Sequence, residues 1–418
     1  MNEFNFNIPQ NIIFGKGSIE KLPGILKEND SKCVLIISGP VLDKIGVVGK
    51  IEEQIQKAGV SSEKFTGVSA NPTVAECEAA FEAYQRAGAD SIVALGGGSP
   101  MDVAKAVGIL ANYGGKVIDY EGAHKVPGPI VPIIAIPTTA GTGSEVTAFS
   151  VIVDEKRHYK LTIFSYEILP KYAILDPDMV KTAPPSVAAA CGMDALIHAW
   201  EAYTSRAASP FTDAMAEKAM ELIGKNIRRF VACREDEEAA SAMITASTFA
   251  GIAFAFARLG NVHAMSHPVS AYFGVPHGVA NSVLLPVIVE YNAIADTGKY
   301  EKIYNYISEE KEPVKNFVPE MLAEEVRKLN AQLGIPAGLS ELGVTEDKIE
   351  VMAIDAMKSG NIAVNPCEQG GRSACAWCDY KAVCGFDERI PGYEMRILPD
   401  LLEEELLVKM QEEVQGEA

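Results

Sequence analysis

The chain has 418 residues, 48% apolar and 22% charged, with 37 basic against 56 acidic side chains and a net charge of −19. This mix supports a sizeable buried core and excludes disordered, collagen-like and disulfide-stapled scaffolds. The negative excess repels polyphosphate backbones, so nucleic acid is not an expected partner.

Met1 to Gln10 carries neither a basic start nor an apolar signal core, which leads to the expectation of a cytoplasmic chain. Ser31–Ser38 reads as a strand and Val48–Ala58 as a helix. Phe65–Val68 reads as a short strand and Thr73–Ala87 as a helix. Ser91–Leu95 reads as a strand, Met101–Leu110 as a helix and Ile130–Ile136 as a further strand. The alternation predicts a doubly wound parallel sheet. Val151–Asp154 and Tyr159–Phe164 read as a hairpin added to it.

Pro184-Pro185-Ser186 is punctuation, and strand signals then vanish until about residue 360. Val187–Thr204, Ser209–Phe230, Glu235–Ala257, Val279–Tyr291 and Pro319–Leu333 read as helices. Ser186 and Ser209 are expected N-caps, with Pro210 at a first helical position. No apolar run reaches the roughly 18 residues of a membrane span. Asn365–Phe386 is rich in glycine and cysteine, and Leu401–Val414 reads as a short acidic helix. The expected fold is α/β plus all-α, divided as 1–185, 186–366 and a Cys-rich tail at 367–418.

Two loops carry the first chemical signal. Gly96-Gly97-Gly98-Ser99-Pro100 lies between a strand and a helix, with Asp102 in the first helical turn. Glycines allow close backbone approach, and a helix N-terminus offers free N–H groups to a pyrophosphate. The loop lacks Gly-Lys-Ser/Thr, which disfavours a nucleoside-triphosphate loop, and it is not G-x-G-x-x-G. Pro137–Glu145 follows another strand and holds Thr138, Thr139, Thr142 and Ser144 beside Gly141 and Gly143. Taken singly, each loop equally suits an ordinary turn. Two of them at carboxyl ends of parallel strands favour a ligand.

Four of the six histidines fall in the helical region. Asp194 and His198 share one helix face, as do His263 and His267, and His277 follows ten residues after His267. Asp194, His198, His263 and His277 would supply one carboxylate oxygen and three imidazole nitrogens. That set suits Fe(II), Zn or a similar ion with a position left for substrate. Taken singly, each histidine reads more readily as a satisfied core or surface residue. The spaced set in apolar helices shifts the balance to a metal.

GGGSPMDVAKA, PTTAGTGSE, GMDALIHAWEAY and GNVHAMSHP…VPHG, in this order, resemble the iron-containing (group III) alcohol dehydrogenase family from about residue 5 to Asn365-Pro366. The resemblance implies an NAD(P)-binding first domain and a helical second domain that holds the metal through Asp194, His198, His263 and His277. It places Gly97, Gly98 and Ser99 at the pyrophosphate, with Thr138, Thr139, Ser144 and Lys160 along the cleft and Asn71 near the adenine end. His267 falls beside the nicotinamide and substrate, where it is a candidate proton relay; shaping the pocket is its plainer role. A bound metal would lower the pKa of a coordinated alcohol while hydride passes to the nicotinamide. The expected substrate is a small alcohol or aldehyde, with Phe149, Phe254 and Phe273 near the pocket, and the family implies a homodimer or larger assembly. Where the family often carries an Asp against the adenosine ribose, Ser38-Gly39-Pro40 stands here. With no carboxylate at Gly39, NADP is expected to be accepted.

Cys375-x2-Cys378-x5-Cys384 with Gly-Phe-Asp resembles the C-terminal iron–sulfur segment found in ATP-dependent helicase–nucleases. It implies a [4Fe–4S] cluster, with Cys367 the nearest fourth ligand; zinc or free thiols are the alternatives. Three other readings stay open. One is a zinc polyol dehydrogenase of the same fold. Another, from a different class, is an iron–sulfur interaction module acting through the tail. A lyase of the dehydroquinate synthase type shares the architecture, though the histidine pattern fits it poorly.

Overall fold

The computed structural model describes residues 8–157, 159–310 and 314–358, with short strand segments at 367–369, 372–373 and 396–398. Residues up to Lys348 form one compact unit and those from Ile349 a second. The change from sheet to helices at Pro184-Pro185 falls inside the first unit.

Strands β1 (Asn11–Phe14), β2 (Cys33–Ile37), β3 (Ser61–Phe65) and β4 (Ser91–Gly96) are followed by β5 (Gly122–Ala123), β6 (Ile133–Pro137), β7 (Phe149–Asp154), β8 (Tyr159–Phe164) and β9 (Tyr172–Leu175). Six of them form a parallel sheet in the order β1-β9-β6-β4-β2-β3. Strands β4, β6 and β9 are buried along their whole length. Such strands carry continuous Val/Ile runs because helices cover both faces of the sheet. Strand β3 begins at Ser61, earlier than the expected Phe65–Val68. Its sequence SSEKF is polar because it forms an edge. The β7–β8 hairpin does not join the main sheet; it pairs with β5 in a small sheet of its own.

The helices are α1 (Leu22–Glu28), α2 (Pro40–Lys44), α3 (Val47–Lys57), α4 (Val74–Ala87), α5 (Gly98–Tyr113), α6 (Pro177–Val180) and α7 (Pro185–Thr204). They continue with α8 (Pro210–Ala232), α9 (Glu237–Ala257), α10 (Asn261–Phe273), α11 (His277–Asn292), α12 (Lys299–Ile307), α13 (Pro319–Gln332) and α14 (Ile349–Lys358). Thr73 caps α4 in a reciprocal box with Glu76, and Ser209 caps α8 with Pro210 at its first position. Ser186 is not a cap: Pro184 holds that place and Pro185 opens α7. Helix α5 begins at Gly98, so the glycine loop forms its first turn.

Sheet growth reverses between β2 and β4: β3 is laid on one side, β6 and β9 on the other. Ligands of open α/β sheets bind at the carboxyl ends of strands at such a switch. Gly39 and Gly96–Gly98 stand at those two ends. Beyond the sheet, one large core joins α7, α8, α9, α11, α12 and α13. Helices α9 and His277–Ala295 are long and apolar enough to cross a membrane by length and composition, longer than the run ended by Arg258 suggests. The apolar window of α9 is 72% buried inside this bundle, as befits a core helix that is hydrophobic all round.

In the second unit, β10 (Cys367–Gln369) pairs antiparallel with β11 (Arg372–Ser373) and parallel with β12 (Arg396–Leu398). Cys375, Cys378, Cys384 and the expected acidic helix lie outside the described residues.

Candidate active site

The two expected cofactor loops pack against each other. Thr138 N–H donates to Gly96 O at 2.9 Å. A Cβ on Gly97 would sit 3.1 Å from Thr139 Oγ1, and one on Gly98 would sit 3.1 Å from Thr142 Cγ2. A side chain at either position would press on these threonines, and glycine lets the second loop pack close to the amide end of α5. Ser99 Oγ donates to Ala70 O at 2.8 Å, which ties the segment bearing Asn71 to the same place. A Cβ on Gly39 would lie 3.3 Å from Val68 O, so the site of the missing carboxylate is also narrow.

Asp102 and Ser144 do not face open space. Ser144 Oγ donates to Asp102 Oδ1 at 2.9 Å and receives a bond from Lys105 Nζ at the same distance. Fully buried Lys105 also donates to Ser144 O at 2.8 Å and Phe149 O at 2.7 Å, with Thr147 Oγ1 at 3.4 Å. Burial pulls its ammonium down to about 8, opposed by Asp102 and Glu145. Burial also pushes Asp102 up to about 6. Half-buried Lys160 is drawn down to about 8 by desolvation, against the pull of Asp194 and Asp102.

Three helices bring the predicted metal set together. Helix α7 supplies Asp194 and His198 one turn apart, α10 supplies His263, and His277 opens α11. A Cβ on Gly278 would meet Ala190 O at 2.2 Å; glycine there lets the start of α11 close onto α7. Single ligand atoms of Asp194, His263 and His277 all lie within 4.8 Å of one another. Asp194 Oδ1 is 3.6 Å from His263 Nε2 and 3.9 Å from Nε2 of both His198 and His277. His198 stands outside the tight trio and stacks on His263 with centroids 4.6 Å apart.

The far sides of the rings decide whether this set fits a metal. His263 Nδ1 meets Glu201 Oε2 at 2.6 Å, and His198 Nδ1 meets Gly141 O at 3.3 Å. Acceptors at Nδ1 keep a hydrogen there and turn the Nε2 lone pair inward, the outer-shell arrangement of metal-binding histidines. Burial opposes charge on Asp194, yet the imidazoles of His198, His263 and His277 hold its carboxyl well below the usual range. Burial likewise opposes a charged His263, but Glu201 and Asp194 raise it to about 9. Burial lowers His198 to about 4. Two buried carboxylates that hold a proton on an imidazole mark a place short of a cation, and the donor set fits a divalent ion.

His267 lies on the next turn of α10, with its ring 5.2 Å from that of His277 and 6.2 Å from that of His263. Burial, then Lys160, lowers its pKa well below the usual value. Phe254 stacks on His198 at 4.4 Å and reaches Phe149 at 6.2 Å. Phe273 shows no ring contact with them among the described residues.

The site includes three residues that sequence reasoning did not single out. Glu201 accepts from Val262 N–H at 2.7 Å as well as holding His263. Asn281 Nδ2 lies 2.7 Å from Asp194 Oδ1 and 3.1 and 3.2 Å from Nε2 of His263 and His277. Lys105 is the third. Glu201 is two turns from Asp194 on one helix face and Asn281 one turn from His277, so the spacing held a signal for both. Glu201→Gln is expected to weaken metal affinity about 10- to 100-fold, as loss of outer-shell partners does; competition with a chelator measures it.

Comparisons with known proteins identify the family. The family model "Iron-containing alcohol dehydrogenase" matches residues 9–177, and "Fe-containing alcohol dehydrogenase family, C-terminal" matches residues 188–371. The chain is 38% identical to alcohol dehydrogenase 4 of Schizosaccharomyces pombe over 364 residues, 86% of this chain and 85% of that one. It is 36% identical to NAD-dependent methanol dehydrogenase of Bacillus methanolicus over 363 residues, 87% of this chain and 95% of that one. The crystal structure of a 1,3-propanediol oxidoreductase superposes with a TM-score of 0.82 at 37% identity, covering 86% of this chain and 94% of that one.

Proposed function

The chain belongs to the iron-containing alcohol dehydrogenase family, and from that premise we propose that it moves hydride between a small primary or secondary alcohol, or its aldehyde, and NAD(P). Asp194, His198, His263 and His277 would hold the divalent cation, Fe(II) first and Zn second. The observation that carries this reading is the convergence of three Nε2 atoms on Asp194 Oδ1, with Glu201 and Gly141 fixing two of the rings from behind.

When bound, the cation would supply Lewis-acid polarisation of the substrate oxygen, and the nicotinamide would give or take the hydride at the adjoining carbon. The chain's own residues do the rest. Gly97, Gly98 and Ser99 offer backbone to the pyrophosphate, and Thr138, Thr139, Thr142 and Lys160 border the cleft. Lys105, Asp102 and Ser144 hold the two loops in register. His267, beside the cluster, takes or returns the substrate proton. Anaerobic iron loading followed by NADH and NADPH oxidation across small aldehydes tests the reading. Turnover that is independent of metal would overturn it.

The carboxylate-free turn at Gly39 supports use of both cofactors. NADPH is expected to be accepted alongside NADH, and kinetics showing a strong preference for NADH would refute this. The exposed edge of β1, with Phe14 51% accessible, supports a homodimer or larger assembly. Free thiols at Cys33, Cys77, Cys191 and Cys233 support a reducing, cytoplasmic location. For the tail, Cys367, Cys375, Cys378 and Cys384 are proposed to hold a [4Fe–4S] cluster. Purified protein without acid-labile sulfide would remove that part of the proposal.

A further inference from the structure

Arg258 ends α9 with φ +72° and ψ 177°, a backbone state that residues with a Cβ rarely adopt and glycine adopts freely. Its N–H is tied to Phe254 O at 2.8 Å, so the position is set by the helix end. Glycine would hold that turn without strain, and what arginine adds there is its side chain.

The guanidinium lies over Phe164 at 4.5 Å and over Phe149 at 5.8 Å from their ring centres. Those rings stack on each other at 4.7 Å. From Phe149 the rings continue to Phe254 at 6.2 Å and to His198 at 4.4 Å. Exposed Arg258 stands at one end, and the rings of Phe164 at 7% accessible, half-buried Phe149 and Phe254 at 8% lead from it to His198 at 5%. The result is a line of apolar faces that runs inward from a cation to the metal set. Around the outer ring, His124 packs at 4.9 Å and Tyr166 at 5.5 Å, so the rim is aromatic with polar tips.

Most described arginines of this acidic chain pair with carboxylates, among them Arg157 with Asp154 and Glu121, Arg229 with Asp236 and Glu238, and Arg327 with Glu290; Arg206, Arg234 and Arg258 do not. Among the described residues Arg258 has no carboxylate partner. A guanidinium held by ring contacts keeps its N–H edge available, and that fork matches a carboxylate.

We infer that Arg258 is a specificity-determining residue that grips an anionic group at the far end of the substrate. The favoured substrates are then aldehydes with a carboxylate at the other terminus, or the corresponding hydroxy acids. The apolar middle of such a molecule lies along Phe149 and Phe254 while its oxygen faces the metal set. This deepens the proposed function and rests on it.

The test compares equal-length pairs in the iron-loaded enzyme with NADH or NADPH: butanal against succinate semialdehyde, and hexanal against adipate semialdehyde. In the wild type, at least one semialdehyde should have a kcat/KM about ten- to a hundredfold above its alkanal. The advantage should shrink as ionic strength rises. Arg258→Gly, which suits the backbone and keeps the fold, should collapse the ratio to near unity; Arg258→Lys should restore part of it. A wild type that prefers both alkanals, or a ratio unchanged in Arg258→Gly, overturns the inference while leaving the dehydrogenase reading in place. Turnover of none of the four aldehydes overturns the dehydrogenase reading itself, and this inference with it.

Discussion

Replacing His263 with alanine is expected to abolish metal retention and turnover together. The ring sits between two carboxylates, with Nδ1 on Glu201 and Nε2 facing Asp194, and it is almost fully buried. Its removal deletes one donor and leaves Glu201 and Asp194 without the group that balances them. Lewis-acid stabilisation contributes several kcal/mol to a barrier, so kcat/KM should fall on the order of a thousandfold or more. Metal content after gel filtration, read beside aldehyde reduction, checks both halves. A variant that keeps its metal and full activity would refute the ligand assignment. One that keeps metal but loses turnover would move His263 from ligand to proton or substrate duties.

The second large effect is expected at Lys105. Lys105→Met keeps the length of the stem but takes the donor from Ser144 O and Phe149 O, two carbonyls inside the fold. Ser144 O keeps the Thr147 N–H at 3.4 Å, so Phe149 O is the acceptor that loses most, and the expected loss is about 1–3 kcal/mol. Against this, methionine removes the desolvation of a buried ammonium, the effect that pulls Lys105 down to about 8. The acceptors win because at least three are satisfied by this one group. Denaturant unfolding should show the loss. KM for the dinucleotide should rise more than kcat falls, since Ser144 belongs to the loop that borders the cleft. Unchanged stability would mean that Phe149 O finds another donor.

The interior of the sheet is legible in the sequence because strands covered on both faces must be apolar throughout, as in SIVALG and IIAIP. Strand β3 escapes that pattern because an edge needs no such run. Strands β1 and β9, four residues each, lie below the length at which a pattern declares itself. Helix α10 is hidden because His263, Ser266, His267 and Pro268 interrupt its apolar period. At the site, the Asp194–His198 pair and the later histidines show through their spacing. Lys105 does not, since a lysine in a helix reads as solvent-facing until the fold closes over it. Arg258 gives no sign at all: its role depends on a backbone angle and on two rings about a hundred residues away.

The carbonyl of Gly141 carries a consequence for how the two small-molecule sites communicate. It belongs to the threonine-rich loop, and it is also the acceptor behind His198. A nucleotide that ordered this loop would steady His198 through the same peptide, and thermodynamic reciprocity would then make the coupling equal in both directions, typically about 1–3 kcal/mol. A protein saturated with nucleotide should bind its ion more tightly than the free protein, and the ion-depleted form should hold nucleotide more weakly by the same factor.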